Sequence, residues 1–316
     1  MKFKEYVRKN DNLVIVYLIF AVFLIIGSAV SPRFLTAFNF GNIMEQAVCL
    51  GIVALGQVLV ILIGGIDLSV GAVVSLGTAM MSLELGGGAL PVVFKIVLTL
   101  LAGMGVGLFN GLGIVRLKIP PFIMTLATMS IVSGIALKIR PVPGGDVPYS
   151  LTEVLFGRLL IFPYAVLIWI LLLAMLVWVM GSRRFGRNLY AVGGSATTAE
   201  LSGISVSRVT MTAHILCGAV ASIAGICVAA RMGTGDSTLG SQFGMDSITV
   251  CVLAGFSLSG GQGNVLGLLA STMIFSCISN VLNLTGVSSY FQYVFKGLIL
   301  LITILVFSVK DRRKMQ

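Results

Sequence analysis

Apolar residues run through this chain in long blocks, separated by short polar connections. The blocks fall at about 13–30, 43–63, 68–85, 91–116, 121–139, 161–180, 209–231, 244–258, 263–284 and 290–309. A helix needs about 20 apolar residues to cross a hydrocarbon core of about 30 Å. The pattern therefore predicts an all-α, polytopic integral membrane protein with about ten transmembrane helices, some short or broken. The third and eighth blocks are the short ones. No polar stretch is long enough for a sizeable soluble unit, so residues 1–316 are expected to form a single transmembrane domain.

Two places break the apolar pattern in a similar way. Gly64–Gly77 (GGIDLSVGAVVSLG) and Ala254–Gly267 (AGFSLSGGQGNVLG) each interrupt an apolar run with glycine and restart it at a residue able to cap a helix. Interrupted helices in matching places of two halves are common around transport sites. Here both breaks are expected on the same side of the membrane, whereas an inverted repeat would put them on opposite sides. Gly103, Gly107 and Gly111 recur every fourth residue and predict a smooth stripe on the fourth helix for close packing.

Charge sets the orientation. The chain carries 21 Lys and Arg against 11 Asp and Glu, and only 10% of its residues are charged. The basic residues cluster at Lys2–Lys9, at Arg183–Arg208 and at Lys310–Lys314, between long uncharged runs, as the positive-inside rule describes. That distribution argues for a lipid bilayer as solvent and against nucleic acid as partner. With both termini inside, 14 of the 21 basic residues lie in the cytoplasm. Residues 140–160, rich in proline and glycine, then form a rigid outer loop, and residues 181–208 form the one long cytoplasmic loop. The basic start ahead of Leu13 resembles a secretory leader. The apolar stretch that follows exceeds the usual leader core of about 7–15 residues, so it is expected to remain as the first helix.

Few residues can carry reaction chemistry. None of the nine lysines follows a glycine, so the chain has no phosphate loop of the GxxxxGK[ST] type. Any ATP must be hydrolysed by a partner. Five cysteines lie inside apolar segments without metal or disulfide spacing. No metal site, no cofactor and no catalytic residue is expected, and His214, the only histidine, is expected to pack. The ionisable residues within apolar runs (Glu45, Asp67, Glu84, Lys95, Asp246 and Lys296) each need a reason, because a charge at mid-bilayer costs about 2.5–3.5 kcal/mol on insertion scales. For Asp67 that reason is either a helix cap or a role in the pathway. Gln57, Asn110, Thr125, Asn280 and Asn283 offer donors and acceptors for hydroxyl groups, and Phe122 and Tyr290 offer flat faces for a sugar ring. These eight, Asp67 included, are the candidates for a solute pathway, with helix packing as the alternative for each.

Several motifs in order carry a resemblance. They are Leu59-Val60-Ile61-Leu62 leading to Gly65-Ile66-Asp67-Leu68-Ser69-Val70-Gly71, Pro121-Phe122-Ile123-Met124-Thr125-Leu126, and Gly186-Arg187 with Tyr190-Ala191-Val192-Gly193-Gly194. Leu201-Ser202-Gly203-Ile204, Leu258-Ser259-Gly260-Gly261-Gln262-Gly263 and Leu282-Asn283-Leu284-Thr285-Gly286-Val287 follow. Through them the chain resembles the permease subunits of ribose/xylose/galactose-type ABC importers of the bacterial inner membrane. The resemblance implies a sugar-like solute, a cytoplasmic ABC ATPase subunit, an extracytoplasmic solute-binding protein and a second permease copy, either identical or a paralogue. It also implies that residues 193–203 couple to the ATPase, with Gly193, Gly194, Glu200, Leu201, Ser202 and Gly203 in that segment. An ion-coupled secondary transporter is the competing expectation; it leaves the 193–203 motif without a role.

Overall fold

A computed structural model describes residues 11–85 and 88–315. The basic cluster from Lys2 to Lys9 lies outside the described residues. The described residues are mostly helical, with α1 at Asp11–Val30, α2 at Ala37–Leu62, α3 at Ser69–Met81, α4 at Ala89–Arg116 and α5 at Pro121–Ile139. A short α6 (Tyr149–Phe156) and a two-stranded hairpin, β1 (Arg158–Leu159) and β2 (Phe162–Pro163), precede α7 (Ala165–Ser182). Next come α8 (Arg184–Gly194), α9 (Ala196–Leu201), α10 (Val206–Met232), α11 (Phe243–Leu253), α12 (Gly267–Leu284) and α13 (Ser289–Met315).

Among the described residues seven helices, rather than ten, are long and apolar enough to cross a membrane: α1, α2, α4, α5, α7, α10 and α12. The other three apolar blocks take shorter forms. Helix α3 has 13 residues and α11 has 11, lengths of about 20 and 16 Å at 1.5 Å per residue. The apolar part of α13 spans 289–303. Glycine punctuation cuts α3 and α11 short: Gly64 and Gly255 take φ values of +77° and +90°, open to glycine but strained for other residues. The expected outer loop at 140–160 is also partly helical, since α6 packs on α10 and Thr152 donates to the Ala230 carbonyl at 2.8 Å.

Burial follows from composition. Helix α2 is apolar on all sides, and every residue from Ala47 to Leu62 is buried, as expected of a central helix. Thr36 caps its start by accepting from the Asn39 amide. Helix α3 is buried over its whole length. The outer helices do the reverse of a soluble protein's. On α4 the buried face is Lys95, Thr99, Gly103, Gly107, Asn110, Gly111 and Gly113, while leucine, valine and phenylalanine face outward. The small residues let α10 lie against α4: Gly103 faces Gly218 and Ser222, Gly107 faces the His214 carbonyl, and Gly111 faces Met211. Backbone-to-backbone approach of this kind is how helices associate where lipid removes the hydrophobic drive between them.

The buried ends of α3 are electrically matched. Asp67 sits at its N-terminus. At its C-terminus the Lys95 ammonium donates to the Met81 and Leu83 carbonyls at 2.9 and 3.1 Å, and the Arg140 guanidinium donates to the Ser82 carbonyl at 2.6 Å. An anion at the N-terminus and cations at the C-terminus complement the helix dipole. The segment 233–242 then runs back along α3, with Gly235 against Ser82 and Gly240 against Gly71 and Ser75.

Candidate functional site

Four of the eight pathway candidates meet at the break between α2 and α3. The Asp67 carboxylate accepts from the Ser69 amide at 2.9 Å and from the Ser69 hydroxyl at 2.6 Å. Asn110, arriving from α4, donates to the other carboxylate oxygen at 3.3 Å and to the Ser69 hydroxyl at 2.9 Å. Gln57, with its amide oriented to satisfy both groups, donates to the Asp67 carbonyl at 3.0 Å and accepts from the Asp67 amide at 3.2 Å. Thr125, in the first turn of α5, donates to the Ile66 carbonyl at 3.0 Å. Gln57, Asp67, Asn110 and Thr125 are all buried. The network stitches α2, α3, α4 and α5 together at one point, with the Asn110 Oδ1 atom lacking a hydrogen-bond partner among the described residues.

The second break lies beside the first. The Gly261 amide donates to the Leu62 carbonyl at 2.9 Å, and a Cβ on Gly260 would stand 2.7 Å from the Gly64 amide nitrogen and 3.1 Å from the Gly193 Cα. Three chain segments thus cross here with no room for side chains: the end of α2, the loop after α11, and the end of α8 at Gly193. Tyr190, one turn earlier in α8, donates to the Gly263 carbonyl at 3.0 Å, and burial raises its phenol pKa. Helix α8 therefore rests directly on both helix breaks. The order of the pieces is mirrored: long helix, break, short helix around Gly64; short helix, break, long helix around Gly260.

From this contact the chain projects α9. Ser195 caps it by accepting from the Thr198 amide at 3.2 Å, and Gly203 at φ +80° reverses the chain toward α10. Only Ala199 is buried in α9, while Leu201 is 85% exposed, unusual for a leucine on a polar segment. Among the described residues no atom lies within 4 Å of a Cβ built on Gly203, so its glycine answers to conformation and not to space.

The other pathway candidates stand apart. Asn280 exchanges two hydrogen bonds with Asn39, at 2.8 and 2.9 Å, tying α12 to α2. Asn283 accepts from Gln292 at 2.8 Å near the α12–α13 turn. Phe122 and Tyr290 are exposed on the outside of the chain. His214 packs with its Nδ1 2.9 Å from the Thr210 carbonyl, and all five cysteines are free and buried. Glu45 pairs with Arg158 at 2.9 Å, and Asp246 pairs with Lys296 at 2.7 Å. The two residues that make the tightest contact of the α8 junction on the other segments, Leu62 and Gly261, carry no chemistry of their own. Only the glycine pair flanked by two breaks could have pointed to them.

Comparison with known proteins gives concordant matches. A family model described as the permease component of branched-chain amino acid transport systems matches residues 39–304. The chain is 36% identical over 296 residues to the ribose import permease protein of Bacillus subtilis (strain 168), covering 93% of this chain and 90% of that one. It is 33% identical over 317 residues to the ribose import permease protein of Escherichia coli (strain K12), covering 98% and 96%. It is 32% identical over 318 residues to the galactose/methyl galactoside import permease protein of Haemophilus influenzae (strain ATCC 51907 / DSM 11121 / KW20 / Rd), covering 95% of each. No solved structure matches the chain.

Proposed function

The chain belongs to the family of permease components of ABC-type import systems, and on that premise we propose that it carries a sugar through the bacterial inner membrane, driven by a separate ATPase. It is a transporter component and not an enzyme. The family model's description names branched-chain amino acids; the sugar reading rests on the relatives, which are ribose and galactose permeases over nearly their full length. The partners that follow are a cytoplasmic ABC ATPase, an extracytoplasmic sugar-binding protein and a second permease copy. In this reading the ten apolar blocks make ten crossings of one domain, two of them by short helices continued in irregular backbone, with both termini in the cytoplasm.

One observation carries the mechanism: α9 is exposed at Leu201 and hangs from α8, whose Gly193 rests on the Leu62 carbonyl and the Gly261 amide. A push on α9 from a partner therefore reaches both helix breaks without passing through a flexible side chain. The Gln57–Asp67–Asn110–Thr125 network, lying at the first break, would be the part of the pathway that this motion opens and closes. Asn283, Phe122 and Tyr290 would face the second copy or the route between copies.

Gly203→Val tests the coupling. It forces a β-branched residue into a left-handed conformation, a strain of about 1–3 kcal/mol, at a position where an added Cβ meets none of the described residues within 4 Å. Membrane insertion should persist while ATP-driven uptake and co-purification of the ATPase fall. Normal uptake at normal abundance would remove α9 from the mechanism.

A further inference from the structure

A second polar region lies away from the Asp67 junction, and none of the eight pathway candidates lines it. It is a cavity of about 290 Å³ among α2, α11, α12 and α13, at the small end of small-molecule pockets. Ser276 and Phe275, midway along α12, form one wall, and Asp246 and Lys296 form another.

We propose that this cavity holds a neutral monosaccharide during transport, an inference that rests on the permease reading above. The first reason is backbone. Residues 233–242 cross alongside the buried α3 without forming a helix. Non-helical backbone at membrane depth is tolerated only where it packs inside protein or lines a watered cavity, and Gln242 at the end of this segment does line the cavity.

The second reason is charge. Lys296 donates to Asp246 at 2.7 Å and to the Gln242 side-chain oxygen at 3.4 Å, while the Gln242 amide donates to the Tyr293 hydroxyl. Each side chain of the ion pair keeps 15–20% of its surface open. An intramembrane pair left partly open is a functional-site candidate by default. The pair balances itself, and Arg231, which also lines the cavity, has the Glu45 carboxylate 3.8 Å from its Nε, so the cavity suits a solute without net charge. The carboxylate can accept from hydroxyls, the ammonium and amide can donate to them, and the Ser276 and Ser279 hydroxyls can do either.

The third reason is shape. The Lys296 ammonium lies 5.0 Å from the centre of the Phe275 ring, so an apolar ring face stands beside the polar cluster. A sugar ring presents the same pairing of C–H faces and hydroxyl edges. A purely apolar solute would cover the open part of the Asp246–Lys296 pair without offering it a hydrogen bond, which a hydroxylated ring avoids.

The test uses the full chain carrying Ser279→Cys in lipid vesicles, with a small water-soluble thiol reagent. The five native cysteines are buried, so labelling reports position 279. The reagent should modify this cysteine, and D-ribose or D-galactose should slow the modification several-fold. Adding Asp246→Asn should abolish that protection while the cysteine still reacts. Protection by neither sugar, or protection that survives Asp246→Asn, would overturn the inference. Labelling needs no ATPase, so the two readings fail separately: lost protection with intact ATP-driven uptake sinks the cavity alone, and intact protection without ATP-driven uptake sinks the ATP-driven reading alone.

Discussion

Asp67 illustrates how one side chain can serve a helix end and a network together. Its carboxylate holds the first amide of α3, and its backbone holds Gln57, so substitutions separate the two roles. Asp67→Asn keeps an oxygen that can accept from Ser69, and we expect it to insert and fold close to normally. Asp67→Leu takes the acceptor away from the buried Ser69 amide and hydroxyl, at about 1–3 kcal/mol for a buried donor left unpaired. Thermal denaturation of the two purified variants should rank asparagine near the parent and leucine well below it; equal midpoints would mean the carboxylate does not hold this junction. Gly193 is the contrasting residue. Any side chain there would collide with the Leu62 carbonyl, so Gly193→Val should lose abundance, whereas Gly203→Val should keep abundance and lose coupling.

Among elements, the α4–α10 pair depends on which face a glycine occupies. Gly107 lies against the His214 carbonyl, but Gly105, two residues earlier, has nothing within 4 Å of an added Cβ. Gly107→Leu should therefore prevent stable assembly, and Gly105→Leu should be tolerated; membrane abundance of the two variants compares them directly, and equal loss would contradict the packing described here. The same elements tell what was legible beforehand. The every-fourth-residue glycine stripe, the two breaks and the short helix closed by Gly203 could all be read from spacing, because each depends on local periodicity. That α3 and α11 are short could be read as well, but not where they end. Their apolar blocks run on past the helix ends, and only the neighbours decide where backbone hydrogen bonding stops: Lys95 and Arg140 take the last carbonyls of α3, and the Leu62 carbonyl takes the Gly261 amide beyond α11. The meeting of Gln57, Asp67, Asn110 and Thr125 was likewise hidden, since they come from three helices and the break after α2. Polarity alone marks each of them, and it marks Asn280 equally, which pairs with Asn39.

For the whole molecule, orientation and energy source are the two quantities to establish. Ser195 and Ser150 are both exposed, on opposite sides of the proposed membrane, in a chain whose own cysteines are buried. In intact cells a membrane-impermeant thiol reagent should label Ser150→Cys and spare Ser195→Cys; the reverse would invert the whole arrangement. The central claim is that ATP hydrolysed by a partner drives this chain through α9. Its most direct test is sugar uptake by vesicles containing the chain with its ATPase and binding protein, supplied with either ATP or an ion gradient. The account predicts uptake of ribose or galactose that requires ATP, stops with vanadate and is indifferent to ionophores. Uptake without the ATPase, driven by a proton or sodium gradient and abolished by ionophores, would contradict it.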